Sequence, residues 1–196
     1  IWAINFAVAS RGCCHLKGYN VIDKAFRTDI SKAWLGKPDA GVGYVPDLKG
    51  AASAHAENYT AAVNTLGVCV FRTARDPLNI SLDVLAGAYR ALTGLEMTGD
   101  EMYTIGERSY NLEKAFNSRL GLRRVDDRLC QRWMKEPVTG GPGAGMKAED
   151  YFEPLLDEYY RYKGWDVKTS LQTRERLVKL GLEDVAALLE KEGALV

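Results

Sequence analysis

The chain has 196 residues, 46% of them hydrophobic and 27% charged, which is typical of a folded globular protein large enough for one domain. Lysine and arginine together number 26, as do aspartate and glutamate, so the net charge is zero, which argues against DNA or RNA as a partner. No apolar run reaches the length of a membrane span, so we expect no membrane partner either.

A helix is predicted at the start of the chain, where residues 1–10 read IWAINFAVAS. The segment is apolar, but it contains the polar Asn5 and lacks the basic region of a signal peptide. It also lacks an initiating methionine. We therefore interpret it as a buried helix inside a longer polypeptide.

The next strong helical signal covers residues 51–68 and ends at Gly67. Its expected apolar face consists of Ala52, His55, Ala56, Tyr59, Ala62, Val63 and Leu66. Ser81 is a predicted N-cap for a further helix, and Thr98 with Glu101 forms a capping box that opens a long one. The expected apolar faces of these two helices are Leu82, Leu85, Tyr89 and Leu92, and then Met102, Ile105, Leu112, Phe116 and Leu120 before Gly121.

Three more helices are predicted towards the end of the chain: residues 148–163, a short helix between Thr173 and Gly181, and a last one from Leu182 to Lys191. Residues 36–50 and 136–146 are predicted loops. The second is rich in glycine and proline and is expected to be flexible, since no strand precedes it and no phosphate-binding motif follows. No strand pattern is evident, so the fold class is all-α, with residues 1–196 forming one irregular multi-helix bundle.

The stretch CCHLKGY, residues 13–19, allows two interpretations. It can be a helix C-terminus that Gly18 terminates, with Lys17 near the negative dipole end and the cysteines as small buried hydrophobes. Spacing alone favours this interpretation. Alternatively, Arg11, His15 and Lys17 form a cationic patch that lowers the pKa of a neighbouring thiol and attracts an anion.

A second candidate stretch is NTLGVCVF, residues 64–71, in which a glycine turn presents Cys69. Such a cysteine suits a metal or cluster ligand, although count alone favours a buried structural thiol. Cys13, Cys14, Cys69 and Cys130 match neither a zinc site nor a disulfide framework, so we interpret them as reduced thiols in a cytoplasmic protein. His55 is interpreted as a core or rim histidine.

The third stretch is GERSYNLEKAFNSRLGL, residues 106–122. Glu107 and Arg108 could serve as a general acid or base and as an anion clamp. A solvated helix face is the preferred interpretation for most of these charges.

Taken in order, these strings resemble the C-terminal region of the tungsten-containing aldehyde ferredoxin oxidoreductase family. The matching strings are ASRGCCHLKGY, AAVNTLGVCVF, YTIGERSYNLEKAFNSRLGL, LLDEYYRYKGWD and LVKLGLEDVA, which together run nearly from end to end. The resemblance implies that the chain is the last helical domain of a cytoplasmic enzyme from an anaerobic microbe. It further implies oxidation of aldehydes to carboxylic acids, with a tungsten bis-pterin and one [4Fe-4S] cluster as cofactors and ferredoxin as the electron acceptor.

The resemblance also assigns residues. His15 matches the histidine beside the tungsten, which donates to an oxo group or to the substrate carbonyl, and Lys17 matches a residue that reaches the pterin. In the family's Asp-x-x-Gly-Leu-Cys motif, Cys69 takes the place of the cysteine that binds the cluster. Gly67 and Val68 take the places of the glycine and leucine in that motif, and Asn64 stands where the family usually has aspartate. Asn64 therefore offers a neutral acceptor in place of a charged one.

Two expectations concern the chain by itself. It carries only one of the four cluster cysteines, so it is expected to hold neither tungsten nor iron without the other domains of the enzyme. The surface around Arg11, His15, Lys17, Asn64 and Cys69 is expected to be open and flanked by the apolar Ile1, Trp2 and Phe6, as an interdomain interface would be. A homo-oligomer is compatible with such a surface. The alternative function is a non-catalytic helical module for interaction or assembly.

Overall fold

The computed structural model describes residues 2–20, 22 and 25–196. Its α-helices are α1 Trp2–Val8, α2 Thr28–Leu35, α3 Lys49–Thr65, α4 Val70–Thr73, α5 Leu82–Thr93, α6 Gly99–Arg119, α7 Gln131–Lys135, α8 Phe152–Lys163, α9 Arg174–Lys179 and α10 Glu183–Lys191. Short 3₁₀ helices cover Asp39–Gly41, Arg124–Asp126 and Ala148–Asp150. Within the described residues, β pairing is limited to an isolated antiparallel bridge between Trp165 and Gln172. The prediction of an all-α fold is confirmed.

Helix α3 is the centre of the bundle. It is buried along nearly its whole length and packs against α6 on one side and α8 on another, with α1, α2 and α4 around it. Its many alanines are small enough for neighbouring helices to approach closely on all sides, as in a helix that is surrounded by protein. The helix predicted at residues 51–68 is therefore confirmed, although it begins at Lys49 and ends at Thr65.

The predicted helix starts are confirmed by their caps. The Val84 amide donates to Ser81 Oγ at the start of α5. At the start of α6, the Glu101 amide donates to Thr98 Oγ1 and the Thr98 amide donates to Glu101 Oε2, which closes the capping box. Thr173 caps α9 in the same way through the Arg176 amide. These helix starts are therefore set by hydrogen bonds between residues three positions apart.

The predicted apolar face of α6 is largely wrong. Leu112, Phe116 and Leu120 are 46%, 61% and 65% exposed. The buried face is mostly polar, and its members are Gly99, Met102, Gly106, Glu107, Tyr110, Asn111, Lys114, Ala115 and Ser118. Hydrophobic periodicity predicted the wrong buried face, because most of these polar side chains have hydrogen-bond partners inside the bundle. Those hydrogen bonds offset the cost of burying the polar groups.

The C-terminal third of the chain forms two parts of the core. Tyr159, Tyr160 and Trp165 pack with Ile4 of α1 and Tyr110 of α6 in one cluster. Leucines of α9 and α10 pack against Ala115 of α6 in another. The last two predicted helices are confirmed, whereas the helix predicted from residue 148 begins only at Phe152, after a 3₁₀ turn.

The two predicted loops contain more structure than their composition indicates. The first holds the 3₁₀ turn Asp39–Gly41. In the second, the Val138 amide donates to the Met146 carbonyl at 2.9 Å, which closes the neck of the Gly/Pro loop. Side chains of both loops line an apolar cleft of about 380 Å³ over Ile4 and Phe152. Among the described residues, no helix combines the length and the hydrophobicity needed to cross a membrane.

Candidate functional site

The segment after α1 is a turn packed on the core. Its helix ends at Val8, Gly12 adopts a left-handed conformation with φ of 82°, and residues 15–18 lie outside any helix. A Cβ on Gly18 would lie 2.5 Å from Asn5 Nδ2 and 2.7 Å from Glu57 Cγ. Gly18 is therefore required for close approach to α1 and α3. The interpretation of CCHLKGY as a helix C-terminus is wrong.

His15 lies in an aromatic setting. Its ring centroid is 5.1 Å from that of Trp2, 5.9 Å from Phe6 and 6.4 Å from Tyr19. The side chain is half-buried, so its imidazole is held by packing and remains reachable from outside the chain. Trp2 and Phe6 were expected to be exposed at the rim of the interface, but both are half-buried, and Ile1, which was expected beside them, lies outside the described residues.

Arg11 binds the thiol of Cys14 within the same turn. Its Nη2 and Nε donate to Cys14 Sγ at 3.0 and 3.2 Å. Burial raises the pKa of the Cys14 thiol, but the Arg11 hydrogen bond and charge, with backbone amide donors, outweigh burial and lower it overall. Cys13 is exposed and Cys14 half-buried, so neither is the buried hydrophobe of the packing interpretation. The predicted thiol–cation contact is present, and it comes from Arg11.

The Lys17 side chain contacts α6. Its Nζ donates to Glu113 Oε1 at 2.5 Å and lies 5.8 Å from the centre of the Tyr110 ring. Glu113 Oε2 also accepts from Ser10 Oγ. The predicted cationic patch is thus divided: Arg11 serves Cys14, while the charge of Lys17 is balanced by Glu113.

The second candidate segment is built on the C-terminus of α3. The Gly67 amide donates to the Asn64 carbonyl at 3.0 Å, and the Val68 amide donates to the Val63 carbonyl at 3.3 Å. This is a Schellman motif, and Gly67 supplies its left-handed residue with φ of 70°. Asn64, Gly67, Val68 and Cys69 all face outwards. The expectation of a buried structural thiol at Cys69 is therefore wrong, and its Sγ is presented from a rigid turn.

The structure brings the two segments together. Tyr19, at the end of the first, packs edge-on against Phe71, at the end of the second, with 4.9 Å between ring centroids. Tyr19, Leu66 and Val70 also pack on one core cluster beneath both segments. His15 and Cys69 thus belong to neighbouring turns on one side of the bundle. Val68 and Phe71 are 36% and 49% exposed there, which gives this surface the apolar character expected of an interface.

Other candidate residues lie in the interior. His55 stacks on Trp34 with 4.4 Å between ring centroids, and its Nδ1 lies 2.8 Å from the Tyr162 hydroxyl. It is a core histidine, as predicted. Glu107 is buried and paired with Arg176, so the solvated face expected for this stretch is wrong at that position. Arg108 is exposed.

Sequence reasoning missed the contacts of Glu113, which was considered only as part of a solvated helix face. It also missed the buried pair of Glu57 and Lys163, whose side chains are both 0% exposed. Lys163 lies inside the string DEYYRYKGWD, and an unbroken run of polar and aromatic residues there was the available signal. A helix with such a run has no purely apolar face to turn towards the core. When it packs into the bundle, some of its polar groups must therefore be buried.

The C-terminal end of α3 exposes side chains whose chemistry suits ligands of a cofactor. Cys69 offers one exposed thiol, and Asn64 offers an amide oxygen and nitrogen at the same helix end. In the described part of the chain, no three histidine, cysteine, aspartate or glutamate side chains are grouped so that they could hold a metal ion. A four-thiolate cluster would therefore need ligands from another part of the protein.

The chain is similar to known proteins over most of its length. The family model described as "Aldehyde ferredoxin oxidoreductase, domains 2 & 3" matches residues 1–182. Tungsten-containing aldehyde ferredoxin oxidoreductases of Pyrococcus horikoshii and Pyrococcus furiosus are each 29% identical over 183 residues, and that of Thermococcus kodakarensis is 27% identical. These matches cover 92% of this chain but only 28% of each relative, so the chain spans a little over a quarter of their length.

A solved structure shares the fold. The active-site complex BamBC of benzoyl coenzyme A reductase, in complex with 1,5-dienoyl-CoA, matches with a TM-score of 0.63 and 22% sequence identity. The match covers 85% of this chain and 27% of that one. At this identity the likeness concerns the arrangement of helices alone.

Proposed function

Because this chain belongs to the aldehyde ferredoxin oxidoreductase family, we propose that it forms one wall of a tungstopterin and [4Fe-4S] site in an enzyme that oxidises aldehydes to carboxylic acids. The observation that carries the proposal is the contact between Tyr19 and Phe71, which sets the His15 turn beside the Cys69 turn. The other domains of the same enzyme would supply the opposite wall.

The proposed roles follow from chemistry and position. Cys69 provides one thiolate to the cluster, and Asn64, Gly67 and Val68 face the pterin beside it. Gly67 allows the left-handed backbone conformation of this turn, which would be strained in a residue with a Cβ even though there is open space for that atom. Lys17 is proposed to reach the pterin edge while it remains paired with Glu113.

The proposed catalytic residue is His15. When bound, the tungsten centre supplies two-electron redox chemistry and the cluster carries the electrons onward. The imidazole N–H of His15 donates a hydrogen bond to the carbonyl oxygen of the aldehyde and so polarises the carbonyl. Trp2, Phe6 and Tyr19 keep the ring in place and exclude bulk water around it.

The neutral side chain of Asn64 bears on the expected strength of pterin binding. A carboxylate at this place would accept hydrogen bonds from pterin N–H groups with a full charge, whereas Asn64 accepts them as a neutral group. Binding at this point is therefore expected to be weaker than with aspartate.

The remaining assignments are proposed on family grounds. They are a cytoplasmic location in an anaerobe, ferredoxin as the electron acceptor and the possibility of a homo-oligomer. Aldehydes are the proposed substrates, and an acyl thioester, a sugar aldehyde or a hydroxy acid is the alternative within the same chemistry. The departure at Asn64 favours a second candidate function, a non-catalytic module for assembly.

The test uses the whole enzyme, purified without oxygen. Replacing His15 with asparagine is expected to lower the turnover of an aldehyde about 100-fold, the lower range of a general acid–base contribution, while tungsten and iron contents stay normal. Lys191→Gln, an exposed change at the end of α10, is the control and should retain full turnover. Normal turnover by His15→Asn would reject the catalytic role, and a protein that never contains tungsten would favour the assembly module.

A further inference from the structure

One carboxylate meets both ends of the turn that carries His15. Glu113 Oε2 accepts from Ser10 Oγ, and Glu113 Oε1 accepts from Lys17 Nζ at 2.5 Å. Ser10 and Lys17 bracket the segment that holds Cys13, Cys14 and His15, which we call the His15 loop, residues 10–17. We propose that Glu113 is a positioning residue that ties the His15 loop at both ends and thereby fixes the direction of His15.

The face of α6 around Glu113 supports this role. Tyr110, one turn earlier, donates from its hydroxyl to the Val8 carbonyl at 3.3 Å. Asn117, one turn later, donates from Nδ2 to the Ser10 carbonyl at 2.6 Å. Residues three and four positions apart share a helix face, so α6 presents a continuous polar edge to the loop. Tyr110 and Asn117 bind the chain where it leaves α1, and Glu113 also binds Lys17 at the other end of the His15 loop.

The charge of Glu113 matters as well as its shape. Lys17 Nζ and Lys163 Nζ lie 5.8 and 3.9 Å from the centre of the same Tyr110 ring. The Lys17 side chain is only 14% exposed, so solvent screens its charge weakly. Glu57 already pairs with Lys163, so Glu113 is the carboxylate left to balance Lys17. Without it, Lys17 would keep its repulsion from Lys163 and lose its own ion pair, so we expect it to turn outwards and release the loop.

The inference deepens the proposed function and rests on it only for the consequence at His15. The tie itself can be measured without catalysis. In the purified whole protein, Glu113→Gln should make the hydrogen-bonded amides of residues 10–17 exchange hydrogen about tenfold faster, because the charged acceptor for Ser10 and Lys17 has been lost. These amides are Gly12, which donates to the Ala9 carbonyl, and Leu16 and Lys17, which donate to the Cys14 thiol. Peptides over residues 61–71 should not change, because the Schellman motif at Gly67 does not depend on Glu113.

The matched control is Glu192→Gln. It removes the ion pair of Glu192 with Arg119, which lies on α6 like Glu113 but away from the His15 loop. It should leave exchange at residues 10–17 as in the parent protein. If Glu113→Gln does not fold, Ser10→Ala removes one contact only and should speed exchange at the start of the loop more than at its end. Unchanged exchange at residues 10–17 in these variants would overturn the proposal.

Turnover then separates the tie from the proposed function. Faster exchange in Glu113→Gln together with a lower kcat, at an unchanged KM for the aldehyde and an unchanged tungsten content, supports both the tie and the role of His15. Faster exchange with normal turnover supports the tie and contradicts the role of His15. The Cys130 thiol, exposed and outside the loop, provides an internal reference for protein integrity through its alkylation rate.

Discussion

Lys163 Nζ lies 3.2 Å from Glu57 Oε2, and neither side chain is exposed to solvent. Lys163 also donates to Asn58 Oδ1 at 2.6 Å, and the Tyr159 hydroxyl donates to Glu57 Oε2 at 2.5 Å. Burial lowers the pKa of Lys163 to about 8, against the opposing pull of Glu57, and burial raises the pKa of Glu57. The pair joins α8 to the central helix α3.

Breaking this pair should be costly. Lys163→Met would leave a buried carboxylate without its cation, so we expect a loss of about 3–5 kcal/mol of unfolding free energy, measured by urea denaturation. The double variant Lys163→Met with Glu57→Leu should recover most of that loss, because no charge is then left buried. Arg174→Gln, which breaks an exposed pair with Glu190, is the control and should cost less than about 1 kcal/mol. A double variant no more stable than Lys163→Met would contradict this account.

His55 should make the fold sensitive to acid. Burial, with the charge of Lys163, lowers its pKa from 6.5 to about 3. Between these values the unfolded chain binds a proton that the folded chain does not, so stability falls as the pH drops below about 6.5. The His55 contribution to that slope is at most about 1.4 kcal/mol per pH unit. Urea denaturation at pH 7, 6 and 5 should show a steeper loss in the parent protein than in His55→Gln. If stability fell equally with pH in the parent protein and in His55→Gln, the lowered pKa of His55 would be contradicted.

The sequence predicts the helices better than it predicts their faces. Ser81, Thr98 and Thr173 cap helices where expected, because a cap depends on residues only three positions apart. The buried face of α6 was mispredicted, because its burial depends on partners far away in the chain. Asn111 Oδ1, for example, accepts from Trp165 Nε1 and from Gln172 Nε2. Contacts between residues so far apart in the chain cannot be predicted from a local sequence pattern.

The candidate site was only partly predictable for a similar reason. Gly67 and Cys69 stand in a local motif, so their turn could be anticipated. The direction of Lys17 could not, since it depends on Glu113, which lies far along the chain on α6. The close approach of Gly18 to Glu57 was also missed, because a glycine that makes room looks in sequence like a glycine that ends a helix.

Gly67→Ala should separate stability from function. The residue has a φ of 70° and open space around it, so the cost is backbone strain of about 1 kcal/mol. Gly94→Ala is the matched control, since Gly94 has a φ of 74°, ends α5 and is also surrounded by open space. Thermal denaturation should show similar losses in both variants, whereas only Gly67→Ala should lower the cluster content of the whole enzyme. Equal cluster contents would argue against a cofactor at the Gly67 turn.

The proposed ligand role of Cys69 gives the most direct test of the central claim. In the whole protein purified without oxygen, Cys69→Ser should lose most of the [4Fe-4S] signal in the electron paramagnetic resonance spectrum of the reduced protein, with a matching fall in bound iron. Cys130→Ser removes another exposed thiol and should keep both the signal and the iron. A Cys69→Ser protein with the full cluster signal and iron content would contradict the claim that this turn forms a wall of the cofactor site.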